Sequence, residues 1–118
     1  MVTFAFAGRP ADTMVVIVND TATVAAARRR IATGSGPQMI VGRIVRGSLL
    51  DTRYPFHFDP DSVRLADTAM ELCDGAPMHT SAEVDSFFLG ETGNAQAQSA
   101  TWCPWSSYPI KVQTLLIG

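Results

Sequence analysis

Residues 13–37 read TMVVIVNDTATVAAARRRIATGSGP, and they constrain the fold more than any other stretch. A continuous β-branched run, 13–18, suits a strand covered on both faces. It passes directly into the best helix of the chain. Asn19, Asp20 or Thr21 supplies the N-cap, because a side-chain oxygen there accepts an otherwise orphaned backbone N–H. Val24, Ala27 and Ile31 share one face at helical spacing. Arg28, Arg29 and Arg30 fall near the C-terminal end, where positive charge suits the macrodipole. Gly34 stops the helix and Pro37 forbids its continuation. The arginine run reads as a solvated face, since three consecutive residues fan over different directions.

The remaining pattern is mostly strand. Residues 3–6 alternate with Phe4 and Phe6 on one face and should pair with 13–18 as a hairpin, across a loop GRPAD. Residues 38–47 form a further strand, with Gly42 marking a bulge or a close approach. PFHFDPDSVRLAD, 55–67, reads as two strands around a turn, with Asp59, Pro60, Asp61 and Ser62 in type I turn chemistry. Residues 68–75 make another strand. HTSAEVDSFFLGE, 79–91, reads as a short helix with a Thr80–Glu83 capping box and an apolar stripe of Val84, Phe87 and Phe88. The small polar segment 90–100 reads as a mobile loop, and 109–118 as a closing strand. The order ββαββββαβ predicts one α+β domain over 1–118, a mainly antiparallel sheet packed on one principal helix.

Composition bounds the function classes. The chain has 118 residues, 47% hydrophobic and 17% charged, which suits a single ordered core. Its net charge of −2 gives no overall footprint for nucleic acid. No apolar run approaches the ~20 residues of a membrane span. The opening MVTFAFAG lacks the features of a signal peptide. A mature secreted form and a cytoplasmic protein are the two expected alternatives.

Chemistry-bearing motifs are few. HFDPD places His57, Asp59 and Asp61 close together, but a metal site needs three or more converging ligands, and the turn already explains both aspartates. No nucleophile motif is present, and Glu71 and Asp74 fall on opposite faces of their strand. GSGP and GETGN match no phosphate-binding loop. The reading is therefore a non-catalytic module, with no cofactor and no metal. Cys73 and Cys103 are open to two readings, a disulfide across paired strands or two buried thiols acting as small hydrophobes.

TWCPWSS, 101–107, holds both tryptophans. Trp102 and Cys103 read as structural. Pro104, Trp105, Ser106 and Ser107 read as partly exposed, with Trp105 on a loop tip facing a partner.

The blocks FHFDPDS, ELCD and WCPWSS, with FAF, the helix after VND, and IVGRIVRG, resemble a family named for the amino-terminal domain of a slime-mould calmodulin-binding protein. The resemblance covers nearly the whole chain. It implies a calcium- or calmodulin-linked binding domain. Its relatives often look secreted, which favours the Cys73–Cys103 disulfide. The polar segment GETGNAQAQSAT departs from the more compact relatives.

A second similarity is to cystatins, inhibitors of papain-like proteases. QMIVG carries Gln38, Ile40 and Gly42 in the places of the Q-x-V-x-G hairpin, and Pro104-Trp105 stands for the later Pro-Trp hairpin. Only GSGP separates the helix from QMIVG, where cystatins have a whole strand. This likeness implies a protease-inhibitor-like wedge, with Gln38, Ile40, Gly42, Pro104, Trp105 and Ser106 facing the partner. The expected partner is another protein, a protease in the most concrete form, and the expected state is a monomer or weak dimer.

Overall fold

The computed structural model describes residues 1–66, 78–104 and 106–113, with the backbone alone at 9–11. Nine elements follow in order: β1 (Val2–Phe6), β2 (Arg9–Val16), α1 (Thr21–Thr33), β3 (Met39–Arg46), β4 (Phe56–Phe58), β5 (Arg64–Ala66), α2 (Ser81–Thr92), β6 (Ser99–Trp102) and β7 (Ser107–Val112). The architecture is α+β, as the sequence predicts. The strands form two antiparallel sheets where one was expected.

The first sheet has the order β2-β1-β7. β1 and β2 make the expected hairpin, but GRPAD is not its loop. The turn is Ala7-Gly8, and β2 already starts at Arg9. Gly8 at φ 78° provides the left-handed residue that so short a connection requires. The second sheet is organised by β3. Its C-terminal half pairs with β4 on one edge and β6 on the other, because Ile44 and Val45 have partners on both sides. Its N-terminal half pairs with β5.

The helices obey their local signals. Asp20 caps α1, its Oδ2 accepting from the Thr23 N–H at 2.9 Å and the Thr23 hydroxyl at 2.6 Å. Those bonds, the hydroxyl's first, hold the exposed Asp20 carboxyl below its usual range. Gly34 closes α1 in the left-handed conformation. Thr80 caps α2, accepting from the Glu83 N–H at 3.1 Å, while its own hydroxyl donates to Glu83 Oε1.

Two expectations need correction. Ile31 does not join the buried face of α1; Thr23 and Ala27 do, and Ile31 is 42% exposed. Segment 90–100 is not one free loop, since α2 runs to Thr92 and β6 begins at Ser99. Arg46 pins the short connection between them. Its guanidinium donates to the carbonyls of Ala95 and Ala97, pairs with Asp85 at 2.5 Å, and lies 4.6 Å from the Phe88 ring centre. The expected strand at 68–75, with Glu71, Cys73 and Asp74, lies outside the described residues, as does the end of the closing strand beyond 113.

One core serves both sheets. Val2, Phe4 and Phe6 of β1 join Ile40 and Ile44 of β3, Phe56 and Phe58 of β4, Ala27 of α1, and Val84 and Phe88 of α2. Trp102 is its largest member at 1% exposure. Its ring stands edge-on to Phe56 at 5.3 Å and stacks on Phe58 at 5.6 Å. Such aromatic contacts add to the area term that dominates core energetics.

Candidate binding surface

The two segments proposed as an inhibitory wedge do meet, but they meet inside the molecule. Ile40 is 1% exposed in the middle of β3, opposite Leu65. Gly42 is buried opposite Trp102, and a Cβ there would lie 2.9 Å from Phe58 Cδ1. This is the close approach expected of that glycine, made by a ring rather than by backbone. Pro104 is fully buried, Gln38 and Ser106 are half-buried, and Trp105 lies outside the described residues. The cystatin-like arrangement needs QMIVG at a hairpin tip. The structure instead makes it a central strand, because Met39, Ile40 and Ile44 are too apolar to leave the core.

Ser107 fastens these segments. Its Oγ accepts from the Ile40 N–H at 3.0 Å and donates to the Pro104 carbonyl at 2.7 Å. A fully buried hydroxyl thus ties the start of β7, in the first sheet, to β3 in the second. The sequence reading placed Ser107 with the partly exposed residues, and the signal of a joint was absent because its partner is 67 positions away.

HFDPD forms the turn predicted for it. The Asp61 N–H donates to Asp59 Oδ1 at 3.1 Å, and the Ser62 N–H and hydroxyl donate to the Asp59 carbonyl at 2.9 and 2.8 Å. Asp59 also pairs with Arg43, and Asp61 accepts from Asn19 Nδ2 at 2.8 Å. The Arg43 hydrogen bond, then the Asp61 amide, holds the exposed Asp59 carboxyl below its usual range. His57 Nδ1 lies 2.7 Å from the Gly47 carbonyl and donates to it. Each of these groups has a partner within the fold, and among the described residues no three metal-ligating side chains converge.

A second polar cluster closes the outer edge of β2. Asp51 Oδ2 accepts from the Val15 N–H at 3.0 Å, and the Thr13 carbonyl accepts from the Tyr54 hydroxyl at 2.5 Å and from Arg53 at 2.8 Å. Burial pushes the Asp51 carboxyl up, but the bonds from Arg53 and from the Val15 and Arg53 amides outweigh it, and it sits below its usual range. Burial also pushes the Tyr54 hydroxyl up. His79 stacks on Tyr54 at 5.2 Å, with Nε2 3.6 Å from Asp12 Oδ1.

The other outer strand, β7, presents a different surface. Its register with β1 shifts between Thr3 and Phe4, so Ile110 falls out of the pairing and is 43% exposed. Tyr108 is exposed beside it. Between β7 and the C-terminal half of α1 lies an open depression of about 280 Å³, lined by Arg28, Ile31, Ala32, Lys111 and Val112. Sequence reasoning missed this surface. The only signal was Ile31 next to three arginines, and it was assigned to the core.

Comparison with known proteins bears on the whole chain rather than on any one residue. The model of a calmodulin-binding-protein family, built on that protein's N-terminal domain, matches residues 1–115. The chain belongs to this family. It is the one that the FHFDPDS, ELCD and WCPWSS blocks resemble, named for the slime-mould protein. No curated protein and no solved structure matches the chain significantly. The similarity to cystatins finds no support, and neither does a protease as partner. Among the described residues no helix is long and apolar enough to cross a membrane.

Proposed function

We propose that the chain is a non-catalytic protein-recognition domain of the calmodulin-binding-protein type. The observation that carries this reading is the family match across residues 1–115. The exposed apolar and cationic surface between α1 and β7 agrees with it, since uncovered apolar area beside charge suits a binding face. Calmodulin itself is the first partner to test. Titration calorimetry with calmodulin, in calcium and in chelator, is expected to give a binding heat in one of the two conditions. Silence in both removes calmodulin and leaves the partner to be found among other proteins. Turnover of any substrate, abolished by His57→Ala, would replace this reading with an enzyme.

The Cys73–Cys103 bridge and a secreted location are parts of the same proposal. Cys103 is buried against Met39, with Val41 and Ala66 around it, and Cys73 lies outside the described residues. Thiol titration of the denatured, unreduced protein is expected to find no reactive thiol. Two reactive thiols would favour the cytoplasmic alternative.

A further inference from the structure

The basic side chains of this chain fall into two groups. Arg43, Arg46, Arg53 and Arg64 each have a carboxylate of the same fold within ion-pair distance: Asp59, Asp85, Asp51 and Asp20. Arg30 donates to the Gly36 carbonyl at 3.1 Å. Arg28, Arg29 and Lys111 differ. Among the described residues no carboxylate lies within 4.0 Å of their charged groups. These three cations cluster at the C-terminal half of α1 and on β7, and Arg28 and Lys111 line the depression floored by Ile31, Ala32 and Val112. In a chain of net charge −2, this is a local positive field over exposed apolar surface.

We infer that the α1–β7 depression docks an acidic peptide segment of a partner protein, with an apolar side chain on Ile31, Ala32 and Val112 and flanking carboxylates on Arg28 and Lys111. The inference rests on the protein-recognition reading above and names the chemistry of the partner. Charge complementarity selects an anionic occupant, because unmatched cations repel a cationic one and gain most from carboxylates brought against a low-dielectric floor. The same charge disfavours a second copy of the chain docked symmetrically on this face, which would set Arg28 and Lys111 against their own kind. A small inorganic anion would make no use of the apolar floor. The recognition runs through side chains rather than an added strand, since Pro109 has no N–H to offer and the bulge at Ile110 interrupts the register of β7.

The test selects peptides on the intact chain from a random-peptide display library, then measures the enriched peptides by fluorescence anisotropy. The expected result is a set of peptides combining Asp or Glu with an aliphatic or aromatic residue. Their affinity is expected to fall about tenfold or more in the R28E/K111E double variant, and to weaken as salt is raised. Ile31→Ala, at an exposed position, is expected to weaken binding by a smaller factor while the thermal midpoint stays put. Peptides that lack acidic residues, or that bind R28E/K111E as well as the parent, would place recognition on another surface. They would overturn this inference and leave the protein-recognition reading standing. Phosphatidylserine vesicles bound in a charge-dependent way, with no peptide enriched, would assign the patch to a membrane surface instead. Absence of both peptide and calmodulin binding would remove both readings.

Discussion

The two outer strands of the three-stranded sheet, β2 and β7, face the same physical problem and meet it differently. An outer strand presents unpaired backbone groups that invite another chain. On β2 the loop after β3 answers with side chains: Asp51 takes the Val15 N–H, and Tyr54 and Arg53 take the Thr13 carbonyl. That edge is closed by residues distant in sequence and tied to the body of the protein. On β7 the devices are local, a proline, a bulge and a lysine, at Pro109, Ile110 and Lys111. They block strand addition but leave side chains uncovered. A closed edge is part of the fold's stability. An edge blunted only locally leaves a face with spare chemistry.

That contrast can be broken first at Tyr54. Tyr54→Ala removes a buried ring and reopens the β2 edge, so chemical denaturation is expected to show a loss on the order of 3 kcal/mol. A loss under about 1 kcal/mol would mean the edge does not depend on this ring.

The joint between the sheets comes next. Ser107→Ala strands the Ile40 N–H in the core and should cost about 1–3 kcal/mol by the same measurement. A neutral result would show that the buried hydroxyl is dispensable.

Asp51 sharpens the comparison through pH. Its folded carboxyl sits below the unfolded value, so its contribution is full above the unfolded-state carboxylate range, near ~4, and is lost as pH falls through the folded value. Asp51→Asn is expected to be less stable than the parent at neutral pH, by about 1 kcal/mol. The two stabilities should converge as the solution is acidified. A gap that stays constant down the acid range would remove the carboxylate from the account.

The smallest effect is expected on the other edge. Ile110→Lys lies at an exposed bulge and should change stability by no more than about 0.5 kcal/mol. A larger loss would show that Ile110 packs in the fold and that β7 is no freer than β2.

The local chemistry of this protein was legible in its sequence. Asp20, Gly34 and Thr80 act where their residue types place them, because a cap needs only its own helix end. The Asp59–Ser62 turn forms for the same reason. Trp102 is core because a tryptophan among apolar neighbours has a large area to bury. The family, too, was legible in three sequence blocks, and the match over 1–115 bears that out.

The candidate surface was not legible, because it depends on which partners the chain brings together. Short period-2 runs specify a strand without naming its neighbour, so the split into two sheets around β3 and the strand β6 could not be read from them. QMIVG looks alike in a hairpin tip and in a central strand, and only packing against Trp102 and Leu65 buries it. Ile31 keeps helical spacing with Val24 and Ala27, yet the position of β7 leaves it at the rim of an open depression. The sequence by itself determined the helices, their caps, the turn and the apolar content of one core, since those rest on interactions within a few residues. Tertiary structure decided which edge is sealed and which cations go unmatched, since both are set by contacts between segments far apart in the chain.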